Sequence, residues 1–236
     1  MQEFLLKKTN TTFSPKAIHL TLISSIILWT IVTDAWKYSL GLFSNLPSIA
    51  GTNGYWYMSR IIWVIPFLFL LIKKPSCVTV QFKQLFTNKI HWKSTIIIFI
   101  SLVIYVFMGM LLEHRGFGMH QGIVVQLIPQ FLIVGFVEEI VYRGWGMNAL
   151  SSFMTMTKAN IIASIYFGLL HAPAFFINWF LTGDFSAINM IKQVIFAFLM
   201  GIVFGYLFKK SKSILPSICF HFIYDFAIIL FVFGAP

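Results

Sequence analysis

Long apolar runs constrain this chain more than any other feature of its sequence. A bilayer core is about 30 Å thick and a helix rises about 1.5 Å per residue, so about 20 apolar residues in a row can span it. Stretches of roughly that length follow one another at residues 17–36, 55–72, 94–112, 122–142, 160–177, 191–208 and 214–233. We therefore predict an all-α, polytopic membrane bundle of about seven transmembrane helices.

The overall composition excludes an ordinary soluble domain. Hydrophobic residues make up 58% of the 236 residues, charged residues make up 10%, and the mean hydropathy is +0.85. No internal repeat or long linker divides the chain, so we predict a single integral membrane domain over residues 1–236. Cys77 and Cys219 fall in a loop and a predicted helix, a pattern typical of neither a metal site nor a disulfide framework.

The net charge of +10 predicts how the chain lies in the membrane. If the N-terminus is cytoplasmic, thirteen of the 17 Lys and Arg residues face the cytoplasm, and Lys37, Arg60, Arg115 and Lys192 face the other side. This asymmetry predicts a cytoplasmic N-terminus, and the small loops favour a bacterial cell membrane. The basic residues are expected to contact lipid headgroups and not nucleic acid, and segment 78–92 is amphipathic enough to lie on the membrane surface.

Two adjacent carboxylates and an arginine interrupt the fourth apolar run near its end. An acid or base at the middle of a membrane helix costs about 2.5–3.5 kcal/mol, so such residues are functional candidates. Glu138 and Glu139 are about 100° apart on a helix and cannot share a face. Glu139 and Arg143 are four apart, in the order that favours an ion pair. This pairing leaves Glu138 without a local partner.

Three further ionisable residues are expected at the depth of Glu138: His171 in the fifth run, and His221 and Asp225 on one face of the seventh. A lone histidine in an apolar helix is normally a packing residue, but this combination on three helices favours catalysis. The glutamate could act as a general base, and the histidines could orient a water or donate to an oxyanion. The same four residues could instead bind Zn, Mn or Fe, because ligands from separate helices leave no local pattern.

Other kinds of site are less well supported by the sequence. The HExxH pattern of zincin-like proteases and the GxSxG pattern of serine hydrolases are absent. A transporter with a proton relay would be expected to show interrupted helices in two matching halves, and the chain shows none. Tyr142 and Tyr224 flank the polar residues and could bind a substrate, although ordinary helix packing explains both.

Three motifs in a fixed order resemble those of the CAAX prenyl protease and bacteriocin-processing family, also called the Abi family. They are EExxxR at residues 138–143, FxxxH at residues 167–171 and HxxxD at residues 221–225. The resemblance covers about residues 131–231, the motif-bearing core of the domain. It implies an intramembrane CAAX-type glutamate endopeptidase that needs no metal or other cofactor.

The resemblance also implies a role for each motif residue. Glu138 and His171 would activate water, His221 and Asp225 would stabilise the oxyanion, and the Glu139–Arg143 pair would support them. The family's prenyl proteases have Asn where this chain has Asp225. An ionised aspartate cannot donate a hydrogen bond, so Asp225 would either be protonated or act by orienting His221.

The resemblance leaves the substrate and the physiological role open. Bacterial relatives of this size resemble bacteriocin self-immunity proteins and processors of peptides or membrane proteins, and a prenylated substrate follows only by analogy. The alternatives are a non-catalytic immunity or membrane scaffold protein and a metal-dependent membrane protease. The sequence does not determine the oligomeric state.

Overall fold

The computed structural model describes residues 13–35, 48–49, 52–113 and 132–232. Its helices follow the predicted apolar runs and confirm the all-α class, and two-residue strands β1 (Ser48–Ile49) and β2 (Thr52–Asn53) form one antiparallel pair. The helices are α1 (Pro15–Trp29, continued by a π-helical turn over Thr30–Ala35), α2 (Gly54–Lys73), α3 (Phe82–Thr87), α4 (Trp92–Glu113), α5 (residues 132–150), α6 (Met156–Leu169), α7 (Pro173–Thr182), α8 (Ala187–Ser211) and α9 (Leu215–Val232).

Several of these helices are long enough to cross a bilayer. Among the described residues, the stretches Pro15–Thr33, Met156–Thr182 and Ala187–Ser211 are both long and apolar enough. Helices α2, α4 and α9 contain 20, 22 and 18 residues. The membrane helical bundle is thus confirmed, whereas the number of seven spans stays a prediction. Most of the predicted loop 37–54 and the start of the fourth run lie outside the described residues.

Helix α5 differs from the prediction at its C-terminal end. We expected it to end at Tyr142, but it continues as a π-helix over Ile140–Met147 and as an α-helix over Asn148–Leu150. The prediction counted Arg143 among the thirteen basic residues that face the cytoplasm. Arg143 is only 1% exposed, and every residue from 137 to 150 is buried by neighbouring helices. Contacts with neighbouring helices of the same chain therefore allow α5 to carry polar residues inside the bundle.

The segment between α2 and α4 is fastened to the helices that carry the polar motifs. The side-chain oxygen of Asn148 on α5 accepts hydrogen bonds from the backbone of Thr79 and Val80, at 3.1 and 2.9 Å. The carbonyl of Leu85 accepts from the backbone N–H of Ile214, just before α9, at 2.8 Å. Within the predicted amphipathic segment 78–92, α3 buries Leu85 and exposes Lys83.

Helices α6 and α8 pack closely because glycines remove side chains from their interface. A Cβ atom at Gly168 of α6 would lie 2.8 Å from the carbonyl oxygen of Val194, and one at Gly205 of α8 would overlap the Asn160 side chain. Asn160 uses the resulting space to donate to the carbonyl of Ile202 at 2.9 Å. Small residues that allow backbones to approach are typical of membrane helix interfaces.

Replacing Gly205 with Ala is expected to destabilise the bundle by about 1–3 kcal/mol, the usual cost of overpacking. The new methyl group would displace Asn160 and break its hydrogen bond to α8. The measurement is thermal or denaturant unfolding in detergent for the single variants Gly205→Ala and Asn160→Ala and for the double variant. The double variant should be more stable than the sum of the two losses predicts, and strict additivity would contradict the contact.

Candidate active site

The two glutamates lie at the end of the α-helical part of α5, immediately before its π-helical part. Glu139 is 0% exposed and Glu138 is 5% exposed. The Nη1 atom of Arg143 donates to Oε1 of Glu139 at 2.9 Å, which confirms the predicted ion pair. The adjacent glutamates thus have different surroundings, because Glu139 is enclosed with a counter-ion while Glu138 keeps a small accessible surface.

Arg143 is held in place by three helices. Its Nη2 atom donates to the carbonyl oxygen of Gly201 on α8 at 2.9 Å. Its guanidinium carbon lies 4.5 Å from the ring centre of Phe167 on α6 and 5.1 Å from that of Phe204 on α8. A buried guanidinium needs such hydrogen bonds and aromatic faces to replace its hydration. Arg143 therefore joins α5 to both helices at the level of the polar motifs.

His221 on α9 contacts every acidic residue of the predicted site. Its Nδ1 atom lies 3.2 Å from Oε1 of Glu139. Its Nε2 atom lies 3.7 Å from Oε2 of Glu138 and 3.5 Å from Oδ2 of Asp225. The imidazole also stacks on the ring of Phe204, with centroids 4.6 Å apart and planes at 19°. His221 is thus the centre of the cluster and is fixed in orientation on two sides.

The two ring nitrogens of His221 face carboxyl oxygens, so protons are needed between these groups. Oε1 of Glu139 already accepts from Arg143, so Nδ1 of His221 is the natural donor to the same oxygen. Nε2 then faces two carboxyl groups, and a nitrogen between two acceptor oxygens is favourable only if a proton lies on one of the three groups. The arrangement can hold at least one exchangeable proton beside Glu138.

His171 lies in the turn between α6 and α7, where Pro173 begins the second of these helices. Its Nδ1 atom is 2.9 Å from the carbonyl oxygen of Phe167. A carbonyl only accepts, so Nδ1 carries the proton and Nε2 of the neutral ring is an acceptor. The Phe167 ring makes edge contacts with both His171 and His221, at centroid distances of 5.3 and 6.0 Å. Phe167 therefore links the two predicted catalytic histidines.

A cavity of about 290 Å³ opens next to these histidines, between α6, α8 and α9. It contains three of the four predicted catalytic residues, whereas Glu138, which contacts His221, does not line it. Its lining residues are Phe167, His171, Gln193, Phe196, Ala197, Met200, Phe204, His221, Tyr224 and Asp225. A substrate in this cavity would meet the histidines and Asp225 directly.

The two tyrosines beside the motifs have different environments. The hydroxyl of Tyr142 is 3.4 Å from Oγ of Ser25 on α1, and its ring packs against Phe167. The hydroxyl of Tyr224 is buried and has no hydrogen-bond partner among the described residues, although the residue lines the cavity. Helix packing accounts for Tyr142 and leaves the hydroxyl of Tyr224 unexplained.

Arg60 is a buried basic residue on α2, at the side of the membrane that is predicted to be non-cytoplasmic. It is 9% exposed, its guanidinium carbon lies 4.9 Å from the ring centre of Trp29, and Nη1 donates to Oγ of Ser59 at 3.0 Å. A lone arginine within the apolar run 55–72 was the available signal, but only the folded structure shows its contacts with Trp29 and Ser59.

The same geometry can be compared with that of a metal site. Within residues 13–35, 48–49, 52–113 and 132–232, no three His, Cys, Asp or Glu side chains are arranged to hold a metal ion. The carboxyl groups around His221 have hydrogen-bond and ion-pair contacts with it and with Arg143 instead. The cluster thus has the donors and acceptors for proton transfer from its own side chains.

Comparisons with known proteins agree with the resemblance that the three motifs indicated. Residues 120–227, which include all three motifs, match a family described as Rce1-like, type II CAAX prenyl endopeptidase. The CAAX prenyl protease 2 of Methanococcus maripaludis is 24% identical over an alignment that covers 89% of this chain and 82% of that protein. No solved structure matches the chain.

The membrane helices and these comparisons together support a membrane protein that is similar to proteases of the general CAAX type. The resemblance to the CAAX prenyl protease and bacteriocin-processing family, which the three motifs indicated, is confirmed by the family match and by the archaeal relative.

Proposed function

We propose that this protein is an intramembrane glutamate endopeptidase that hydrolyses a peptide bond near the cytoplasmic face of the membrane. Glu138 and His171 activate the attacking water, and His221 with Asp225 stabilises the oxyanion. Glu139 and Arg143 position His221. The observation that carries this proposal is the contact of His221 with Glu138, Glu139 and Asp225 beside a cavity that also contains His171.

The assignment of the base rests on the different surroundings of the two glutamates. Glu139 is fully enclosed, and its Oε1 atom is already engaged by Arg143 and His221. Glu138 retains slight exposure. Its distance to His221 is 3.7 Å, which is longer than the 3.2 Å between Glu139 and His221. A carboxylate must have an available oxygen to take a proton from water. Glu138 meets this requirement because part of it is accessible, whereas Oε2 of Glu139, which has no hydrogen-bond partner among the described residues, is fully buried.

The proposed reaction balances with these groups alone. Glu138 accepts a proton from a water that is also held by Nε2 of His171, and the hydroxide attacks the carbonyl carbon. The carbonyl oxygen becomes an oxyanion, which accepts a hydrogen bond from Nε2–H of His221. The proton on Glu138 then passes to the leaving nitrogen, the C–N bond breaks, and a carboxylic acid and an amine are released.

The contact between Asp225 and His221 supports one of the two roles considered for the aspartate. Oδ2 of Asp225 is 3.5 Å from Nε2 of His221, one helical turn away on the same face of α9. A carboxylate at this distance favours the orientation in which Nε2 carries a proton and can donate. Asp225 is therefore proposed to orient His221 and not to donate to the oxyanion itself.

The proposed depth follows from the end of α8. Phe204, which stacks on His221, precedes the basic pair Lys209 and Lys210 by five residues, or about 8 Å along the helix axis. If these lysines lie at the cytoplasmic surface, the site lies in the cytoplasmic half of the bilayer. The same charge distribution supports a cytoplasmic N-terminus, and the small loops are the basis for proposing a bacterial cell membrane.

The proposed substrate is a peptide or a segment of a membrane protein. The relative from Methanococcus maripaludis is named a CAAX prenyl protease, and a prenylated substrate is proposed for this chain only by analogy. Processing of a bacteriocin-like peptide fits the same site. The second candidate function is non-catalytic, in which the protein confers immunity or acts as a scaffold and the polar cluster only joins the helices, as the contacts of Arg143 would allow.

The proposal is tested by peptide cleavage with purified protein in nanodiscs. His171→Ala is expected to lower cleavage by about 10²-fold or more, since it removes the acceptor that holds the water. Cleavage should persist in EDTA and in phenanthroline. Sensitivity to chelators would favour the metal-dependent protease instead. If neither the wild type nor the variant cleaves any peptide, and His171→Ala still confers immunity in a cell-based assay, the scaffold function would be favoured.

A further inference from the structure

One face of α8 forms a wall of the cavity, which is called the groove below. Its residues from this helix are Gln193, Phe196, Ala197, Met200 and Phe204, whose spacing places them on a single helical face. The eleven residue steps between the ends correspond to about 16 Å along the axis. Phe204 stacks on His221 at one end, and Gln193 is exposed at the other. The groove thus leads from the proposed catalytic residues to the surface of the bundle.

The width of the groove depends on Ala197. Phe196 on α8 stacks on Tyr224 of α9, with ring centroids 5.4 Å apart and planes at 30°, and this pair forms one wall. Ala197 is 4% exposed and has the smallest side chain in the lining. Any larger side chain at this position would project into a cavity of only about 290 Å³. Ala197 therefore limits what the groove can hold.

The groove combines apolar walls with polar groups that require partners. Phe196, Met200 and Phe204 suit an apolar side chain. The hydroxyl of Tyr224 is buried without a hydrogen-bond partner among the described residues, and the amide of Gln193 lies at the open end. A buried hydroxyl without a partner is costly, and such groups in native proteins need an explanation. A peptide backbone offers acceptors and donors, whereas a hydrocarbon chain offers none.

We propose that this groove is the subsite for the apolar side chain next to the scissile bond of an extended peptide, and that Ala197 sets the largest side chain accepted. The hydroxyl of Tyr224 donates to a backbone carbonyl of the bound peptide. Ala197 and Tyr224 are thus specificity-determining and positioning residues, respectively. The inference rests on the proposed protease function and names the substrate class of the same site.

The first experiment compares cleavage preferences. A mixture of peptides is incubated in nanodiscs with the wild type, with Ala197→Leu or with the control Leu199→Phe. The control alters a side chain that is 52% exposed on the same helix. Mass spectrometry identifies the residues that flank each cleaved bond. In Ala197→Leu, cleavage beside Leu, Met or Phe should fall at least about tenfold relative to cleavage beside Ala or Ser, the size of effect that one or two methylenes produce in an apolar pocket. An unchanged preference in a folded Ala197→Leu protein would overturn the subsite.

The second experiment measures binding without catalysis, so the subsite and the protease function can fail separately. The Glu138→Gln protein is titrated with fluorescein-labelled trileucine and trialanine amides and with a prenyl-cysteine methyl ester. It should prefer trileucine by at least about tenfold, and addition of Ala197→Leu should abolish that preference. Adding Tyr224→Phe should weaken both tripeptides and leave the melting temperature unchanged or higher. If Ala197→Leu weakened the prenyl compound alone, the groove would be a lipid site and the proposal would be wrong.

Discussion

Replacing Glu138 with Gln is expected to slow peptide cleavage by about 10²- to 10⁴-fold, the range that general base catalysis contributes. Glutamine has nearly the same shape, but it cannot take a proton from water. The loss should appear in kcat and leave KM nearly unchanged, because Glu138 does not line the cavity that would hold the substrate. The measurement is steady-state cleavage of the best peptide found with the wild-type protein.

Two controls distinguish a lost base from a damaged fold. Asp184 is an exposed carboxylate between α7 and α8, and Asp184→Asn makes the same chemical change away from the site. It should leave cleavage unchanged. The melting temperature of Glu138→Gln should equal or exceed that of the wild type, because a buried carboxylate is removed without a change in volume. Cleavage within about threefold of the wild-type rate in a folded Glu138→Gln protein would exclude Glu138 as the base.

Replacing Arg143 with Met is expected to destabilise the protein by about 3–5 kcal/mol, the cost of breaking a buried ion pair by removing one partner. Glu139 would be left enclosed at 0% exposure without its counter-ion, and the carbonyl of Gly201 would lose its donor. The substitution would also remove the contacts with the rings of Phe167 and Phe204. Reversible unfolding in mixed micelles provides the measurement.

The double variant Glu139→Gln with Arg143→Met tests the cause of that loss. If the unpaired carboxylate is the main cost, the double variant should recover a large part of the stability lost in Arg143→Met. Lys192→Met is the matched control, because Lys192 is exposed on α8 and its removal should change stability little. A loss of under about 1 kcal/mol in Arg143→Met would show that the ion pair does not hold the three helices together.

The apolar runs were sufficient to predict most helices of this protein. The observed bounds of α2, α4, α8 and α9 lie within four residues of the predicted runs, since a helix in lipid must satisfy its own backbone and needs a fixed length of apolar sequence. The sequence was less informative for α5. The predicted end at Tyr142 was wrong because Arg143 is satisfied inside the protein and not by water. Burial by other helices has no signature in the local sequence.

Local spacing also predicted the parts of the site that lie on one helix. Glu139 and Arg143 form their ion pair, and His221 and Asp225 approach within 3.5 Å, because residues four apart on a helix are neighbours. The three motifs likewise indicated a family that the comparisons confirm. The catalytic roles of Glu138, His171, His221 and Asp225 remain predictions, which the experiments above address.

The contacts between helices were decided only by the tertiary structure. The sequence did not show that His221 would contact both glutamates, that the carbonyl of Gly201 would accept from Arg143, or that Arg60 would lie against Trp29. These contacts join residues that are far apart in the chain, and they depend on which helix faces meet and how closely they approach. The sequence by itself therefore determined the helices and the chemistry available on each. The packing of the helices decided which of these groups come into contact. That packing depends on glycines and buried polar groups on several helices at once.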